Sequence, residues 1–100
     1  MTNEAKMKSK FRTTSKWKNW RKYIAKLQNN KDYITGRPLT KGYQCHHLDE
    51  SAENYKKLDA KNFICVNRTT HKMIHWAERY DYNLIVTNLL EVLQRMEVLK

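Results

Sequence analysis

The sequence predicts a small α+β domain in which a two-stranded antiparallel hairpin and a helix are flanked by two amphipathic helices. Its 100 residues are enough for one domain with a modest hydrophobic core. Apolar side chains recur at helical spacing near both ends of the chain. Two short β-prone segments lie between these ends and are separated by a polar loop, as in a hairpin.

The first twelve residues are polar and basic and show no apolar periodicity. Such a composition favours a flexible arm that can order on a phosphate backbone. We therefore predict a flexible basic arm over residues 1–12 and a single domain over residues 13–100.

A basic amphipathic helix is predicted from Ser15, which can cap it. Trp17, Trp20, Ile24 and Leu27 follow at intervals of three and four residues, which places them on one face. Because this spacing is that of a buried face, we assign both tryptophans to the core rather than to base stacking. Basic side chains cover the rest of the helix surface: Lys16, Lys18, Arg21, Lys22 and Lys26.

The hairpin is predicted in the middle of the chain, after a turn over residues 35–38 that contains Gly36 and Pro38. Its first strand spans roughly residues 44–48, and a polar loop over residues 49–61 leads to the apolar second strand, residues 63–66. Two such strands are expected to pair antiparallel.

Two more helices are predicted after the hairpin. Thr69 or Thr70 can cap the first, which runs to Arg79. The last helix follows residues 81–83, and its apolar residues form a continuous seam: Ile85, Leu89, Val92, Leu93, Met96 and Leu99. The seam either packs on the Trp17 helix or forms a homodimer, and a domain this short favours the first because it needs the apolar area for its own core.

The positive charge is concentrated in the N-terminal part. Residues 1–44 hold twelve Lys or Arg against Glu4 and Asp32, whereas residues 45–100 hold eight basic and eight acidic side chains. This asymmetry produces a field that attracts polyanions and makes nucleic acid the favoured partner. The alternative is a solvated tail followed by an ordinary amphipathic helix.

Cysteine content and hydropathy indicate the cellular setting. Cys45 and Cys65 are too few for a disulfide framework, no apolar leader opens the chain, and no segment approaches the length of a membrane span. We therefore expect an intracellular protein without a membrane partner. The two cysteines can complete a mixed zinc site, but we interpret them as buried strand residues.

All four histidines occur in the hairpin and in the helix that follows it. His71 and His75 are one helical turn apart and present two imidazoles to one point, a common way to bind zinc. His46 and His47 are adjacent on a strand, where successive side chains point to opposite faces. One of them is therefore expected to bind the metal, and the other to remain unliganded as a general base. Helices also carry such histidine pairs by chance. What favours a metal site here is the order of the elements: strand, loop, second strand and helix, with histidines only on the first strand and the helix.

The segments TGRPLTKGYQCHHLD and NFICVNRTTHKMIH resemble the HNH endonuclease family with its ββα-metal finger, here about residues 43–79. Asn62 lies fifteen residues after His47, and the two later histidines follow it at nine and thirteen residues. The resemblance implies that His47 is the general base and that Asn62 bridges the loop and holds it. It also implies three metal ligands: His46, His71 and His75.

Two departures from the family pattern affect the metal. The CxxC pairs that bind a separate structural zinc in many relatives are absent, so we expect one metal ion. His46 stands where many relatives have aspartate, and the all-histidine set resembles the bacteriocin-type nucleases. Imidazole ligands favour zinc or nickel over magnesium. We therefore expect one bound divalent ion, Zn²⁺ or Ni²⁺, with Mg²⁺ or Mn²⁺ as alternatives for turnover.

The resemblance implies a metal-dependent DNA endonuclease that hydrolyses phosphodiester bonds with a single metal ion. Six cationic residues are candidates for contacts with the DNA backbone: Arg37, Lys41, Arg68, Lys72, Lys18 and Arg21. The alternative is a noncatalytic, zinc-stabilised module that binds nucleic acid or another protein, although a closed structural site needs no fourth histidine. The many Lys and Asn residues suggest a protein of a bacteriophage or a mobile element, acting in the cytoplasm of a bacterial host.

Overall fold

The computed structural model describes residues 2–100 and contains four α-helices and one two-stranded antiparallel sheet in that range. The elements, in chain order, are α1 (Asn3–Phe11), α2 (Ser15–Leu27), β1 (Gln44–His47), β2 (Phe63–Val66), α3 (Arg68–Arg79) and α4 (Tyr82–Val98). A short 3₁₀ turn, Ala60–Asn62, leads into β2. The predicted α+β class is confirmed, with a hairpin and a helix flanked by further helices.

The chain divides into two compact units, and the division falls inside α3, after Thr70. The first unit contains α1, α2, the hairpin and the start of α3. The second contains the rest of α3 and all of α4.

The first helix corrects the sequence prediction. Residues Asn3–Phe11 are helical, so the expectation of an arm without regular structure is wrong for this segment. The Thr2 hydroxyl caps the helix by accepting a hydrogen bond from a backbone N–H. Phe11 is buried against Trp17, with ring centroids 5.7 Å apart, and Met7 packs on the same core. The contact that stabilises α1 is therefore nonlocal, and apolar periodicity within the segment did not reveal it.

The second helix begins at Ser15 as predicted, but its cap is Thr14, whose hydroxyl accepts a hydrogen bond from the Trp17 N–H at 3.2 Å. Trp17 and Ile24 are buried, whereas Leu27 is exposed. The buried face ends before Leu27 because the helix stops there and the next two asparagines have positive φ. Seven of the buried residues in the first unit form one apolar cluster: Phe11, Trp17, Ile24, Ala25, Tyr55, Phe63 and Cys65.

The two strands pair antiparallel, as predicted, with His46 opposite Ile64 and His47 opposite Phe63. β1 ends at His47, one residue earlier than expected. All four residues of β2 are buried, and alternate ones, Phe63 and Cys65, pack in the cluster that contains α2 side chains. The hairpin thus holds both histidines of the pair on a strand of fixed register.

A buried carboxylate joins the turn after α2 to the start of α3. Asp32 is only 2% exposed, and it accepts hydrogen bonds from the backbone N–H groups of Ile34, Thr35 and Asn67 at 2.8–3.0 Å. The Thr70 side chain is a fourth partner. Burial alone would raise the pKa of Asp32, but these hydrogen bonds outweigh it and hold the pKa below its usual value. Asp32 therefore fixes the backbone from which α3 begins.

α3 begins at Arg68, just before the predicted caps. In the second unit, α4 is capped by Asp81, whose side chain accepts a hydrogen bond from the Leu84 N–H at 3.2 Å. The large apolar side chains of α4 are mostly about half exposed. Among residues 2–100, no helix combines the length and the hydropathy needed to cross a membrane.

Candidate metal centre

Three of the four histidines lie close together. Their ligand atoms, contributed by His46 of β1 and by His71 and His75 of α3, are all within 4.8 Å of one another. The Nε2 atoms of His71 and His75 are 3.1 Å apart, so these two rings point to the same place. Neutral imidazole nitrogens are good ligands for divalent transition metals. The three histidines are thus within reach of one another and can bind a single metal ion, as the sequence predicted.

The positions of these rings follow from two local periodicities. In α3, a spacing of four residues places His71 and His75 one above the other on the same helix face. In β1, alternation directs His46 and His47 to opposite sides of the strand. Accordingly, His46 belongs to the cluster and His47 does not. The cluster runs from the buried His46 to the exposed His75, so one side of it faces solvent.

An acidic side chain that sequence reasoning missed lies behind this cluster. The Nδ1 atom of His75 is 3.7 Å from a carboxylate oxygen of Glu78, while its Nε2 atom faces His71. A carboxylate behind a ligating imidazole can orient the ring. The signal in the sequence was the helical spacing of three residues between His75 and Glu78.

His47 is enclosed by aromatic rings and is only 4% exposed. Its imidazole stacks between Trp17, at a centroid distance of 5.1 Å, and Tyr55, at 3.9 Å. Phe63 packs at 4.7 Å with its ring tilted. Desolvation by this burial lowers the pKa of His47 below its ordinary value, so the ring is neutral at physiological pH.

The backbone of Tyr55 selects the tautomer of His47. Its carbonyl oxygen lies 3.0 Å from the Nε2 atom of His47. Because a carbonyl can only accept, Nε2 carries the proton in the neutral ring, and Nδ1 carries the lone pair. The ring can therefore accept a proton only at Nδ1.

Sequence reasoning missed Tyr55, an aromatic residue in an otherwise polar loop. Tyr55 is buried, and its hydroxyl accepts a hydrogen bond from Arg12 at 2.7 Å. The Lys8 ammonium lies 5.1 Å from the centroid of the Tyr55 ring and donates to the Glu50 carbonyl. These contacts from the N-terminal segment stabilise the loop whose backbone carbonyl, at Tyr55, is hydrogen-bonded to His47. The partners are more than forty residues apart in sequence, so no local pattern reveals the contact.

Asn62 closes the other end of this loop. Its side-chain oxygen accepts a hydrogen bond from the Asp49 N–H, and its amide donates to the Asp49 carbonyl at 3.3 Å. The Leu48 N–H donates to the Asn62 carbonyl at 2.8 Å. Asn62 therefore fixes the backbone that immediately follows His47. A contribution of Asn62 to catalysis stays a prediction.

The six predicted DNA contacts do not all have the same environment. Arg21 is half buried, donates to the Tyr43 carbonyl and lies 3.9 Å from the centroid of the Tyr43 ring. It holds α2 to the segment before β1, so its guanidinium is engaged within the protein. Five side chains are exposed: Lys18, Arg37, Lys41, Arg68 and Lys72.

Comparison with known proteins does not identify a family: no family model, no curated protein and no solved structure matches this chain. The structure supports a small ββα-like arrangement with three close histidines. Assignment to the HNH endonucleases is therefore a proposal, carried by this arrangement and by the spacing of the four histidines and Asn62.

Proposed function

We propose that this protein is a metal-dependent DNA endonuclease of the HNH type. The observation that carries the proposal is the convergence of His46, His71 and His75, with a fourth histidine next in sequence to the first of them. A structural metal site needs only ligands, whereas hydrolysis also needs a base that does not ligate. His47 has the properties required of that base, because it lies outside the cluster and its lowered pKa keeps the ring neutral.

The three clustered histidines fit one divalent ion. Their all-nitrogen donor set favours Zn²⁺ or Ni²⁺ as the resident ion, with Mg²⁺ or Mn²⁺ as alternatives for turnover. When bound there, the ion would supply positive charge that stabilises the phosphate oxygens as negative charge develops during cleavage. Glu78 would support the position of His75 from behind.

His47 acts as the general base through its Nδ1 atom. A water molecule that attacks the phosphorus transfers a proton to this atom, and the water oxygen forms the new P–O bond. The bond to the 3′-oxygen breaks, and the released 3′-oxygen takes a proton from solvent water. The Tyr55 carbonyl keeps Nε2 protonated and stabilises the imidazolium that results. Asn62 holds the backbone after His47 in place. The products carry a 5′-phosphate and a 3′-hydroxyl.

Double-stranded DNA is the proposed substrate, and the exposed cations are its proposed backbone contacts: Lys18, Arg37, Lys41, Arg68 and Lys72. Contacts to phosphates position a duplex without reading its sequence. We therefore expect weak sequence preference and steep salt dependence. A phage protein acting in the cytoplasm of a bacterial host is the setting that the composition favours.

A second candidate is a noncatalytic module in which the histidine cluster holds a structural metal. The enclosure of His47 between Trp17 and Tyr55 favours this alternative, because a stacked and buried imidazole can serve simply as a core residue. In that case the basic N-terminal part would bind nucleic acid without cleaving it.

A plasmid-nicking assay separates the two candidates. Supercoiled DNA is incubated with chelator-treated protein and then with added Zn²⁺, Ni²⁺, Mn²⁺ or Mg²⁺, and metal content is measured in parallel. The nuclease requires a metal to nick, and His47→Ala keeps the metal but loses roughly two to four orders of magnitude in rate. His71→Ala, the matched variant, loses both the bound metal and the nicking activity. Binding of metal and DNA without nicking under any of these metals would establish the module instead.

A further inference from the structure

The two cysteines lie directly opposite each other in the hairpin. Cys45 in β1 is the register partner of Cys65 in β2. The proposed nuclease function uses neither thiol.

The hydrogen-bond pattern identifies the kind of strand pair to which the cysteines belong. The Leu48 N–H bonds to the carbonyl of Asn62, its opposite residue, so that pair is hydrogen-bonded. Opposed pairs alternate along an antiparallel ladder, which makes the cysteine pair, three positions away, a non-hydrogen-bonded one.

The backbone of Cys65 supports this assignment independently. Its N–H donates to the Gln28 side-chain oxygen at 2.7 Å, and its carbonyl accepts from the Tyr33 N–H at 3.1 Å. Both groups are thus directed away from β1. In a non-hydrogen-bonded pair the Cα atoms are about 4.5 Å apart and the side chains are close. That separation is within the range of about 4.4–6.8 Å that a disulfide spans.

The two side chains are in contact, and one of them is accessible. Opposed residues of a strand pair project from the same face of the sheet, and Cys45 packs against the cluster that contains Cys65, so the two sulfur atoms are neighbours across the strands. Cys65 is 0% exposed, and its own thiol lies 3.6 Å from the Arg21 carbonyl. Cys45 is only partly buried. A small oxidant can therefore reach the pair through Cys45.

We propose that Cys45 and Cys65 form a reversible cross-strand disulfide by exchange with a low-molecular-weight disulfide such as oxidised glutathione. The Cys45 thiolate attacks one glutathione sulfur and releases the first glutathione thiolate, which leaves a mixed disulfide. Cys65 then attacks the Cys45 sulfur and releases the second. The protein loses two protons and two electrons, and oxidised glutathione is reduced to two glutathione molecules. In a reducing compartment the pair stays as thiols until the glutathione pool is oxidised.

The bond would join β1 to β2 next to His46. It would fix covalently the register that places His46 opposite Ile64, and it would restrict the unfolded chain by closing the loop between the strands. The oxidised protein should therefore unfold at a higher temperature than the reduced protein.

The test uses the full chain, equilibrated without denaturant in mixtures of oxidised and reduced glutathione and then quenched by alkylation. We expect intact-mass measurement to show the loss of two hydrogen atoms and peptide mapping to join Cys45 to Cys65. We also expect excess reduced glutathione to reverse the change. The matched variant Cys45→Ser cannot form the internal bond, so any product it gives must be a glutathione adduct or an intermolecular dimer.

Three results would overturn the proposal. The first is that both thiols of the native wild-type protein remain open to alkylation after oxidation and subsequent unfolding. The second is that the reaction stops at a glutathione adduct or a dimer. The third is that the bond forms no faster in the native protein than in the urea-unfolded chain, since preorganisation by the hairpin should accelerate it. All three are measured on the wild-type protein, so they do not depend on the folding of a variant.

Discussion

The imidazole of His47 stacks on the ring of Tyr55 with centroids 3.9 Å apart and planes 8° apart, and the Tyr55 carbonyl lies 3.0 Å from the His47 Nε2 atom. One residue therefore fixes both the plane and the tautomer of the proposed base. Arg12, the C-cap residue immediately after α1, donates a hydrogen bond to the Tyr55 hydroxyl. The first helix thus supports the proposed site without contributing a reacting group.

Two substitutions of Tyr55 separate its ring from its hydroxyl. Tyr55→Phe keeps the stacking and the backbone carbonyl, so we expect a loss of about 0.5–1.5 kcal/mol in the free energy of unfolding from the lost hydrogen bond. Tyr55→Ala leaves a cavity beside His47, with an expected loss of about 3–5 kcal/mol. Urea unfolding measures both. Equal losses would show that the hydroxyl, not the ring, is what stabilises the loop.

Acidification should destabilise the metal-free protein through His47. Burial lowers the pKa of this ring in the folded state, so the unfolded chain takes up its proton at a higher pH than the folded chain. The stabilisation is fully present above the unfolded pKa of about 6.5 and is lost as the pH falls towards the folded value. Urea unfolding of chelated protein at several pH values should show this decline.

A matched variant isolates the contribution of His47 from that of the three clustered histidines. His47→Phe preserves an aromatic ring in the stack but cannot be protonated, so its stability should depend less on pH than that of the wild type. Cleavage by the wild type should also fall on acidification below the ordinary histidine pKa, because a base that must be neutral becomes protonated. A His47 signal that titrates above its ordinary pKa in NMR would contradict the burial argument.

Asp32 should contribute strongly to stability although it lies outside the proposed site. Asp32→Ala leaves three backbone N–H groups without their acceptor, and we expect a loss of about 2–4 kcal/mol in the free energy of unfolding. Because its folded pKa is lowered, this stabilisation is present above the unfolded pKa of about 3.9 and is lost as the pH falls through the folded pKa. The exposed cap Asp81 provides the control: Asp81→Asn keeps a competent cap and should change little.

The parts of the site that the sequence predicted are those that short-range periodicity determines. A spacing of four residues brings His71 and His75 together on a helix, and strand alternation separates His46 from His47. In contrast, Tyr55 and Asp32 depend on partners distant in sequence. Arg12 and Asn67, the distant partners, become neighbours only through tertiary packing, so patterns within a single segment carry no signal for these two contacts.

Two cations on α2 should behave differently in DNA binding. Lys18 is exposed, so Lys18→Ala should weaken binding for all sequences and lower the salt dependence by about one unit. Arg21 bonds to Tyr43, so Arg21→Ala should reduce stability and leave the salt slope unchanged. Binding titrations at several salt concentrations and urea unfolding measure the two effects. A reduced salt slope in Arg21→Ala would instead place that side chain on DNA.

Five residues of the apolar seam, in α4 and at its C-cap, recur at alternating intervals of four and three, the pattern of a helix that pairs with another helix. They are Ile85, Leu89, Val92, Met96 and Leu99. Leu89 is 53% exposed, and Met96 is exposed to the same extent. Contiguous apolar surface of this kind marks an interaction face.

We expect that face to pair two copies of the chain in solution, and Leu89→Glu to abolish the pairing because it would bury a carboxylate in the seam. Asn88→Glu introduces the same charge one residue earlier, to the side of the seam, and should leave the dimer intact. Sedimentation equilibrium gives the mass of each variant. A wild-type protein that remains monomeric as its concentration rises, or an Asn88→Glu variant that dissociates as completely as Leu89→Glu, would contradict pairing through this seam. Since the histidine cluster lies outside α4, a monomeric Leu89→Glu variant should still bind metal.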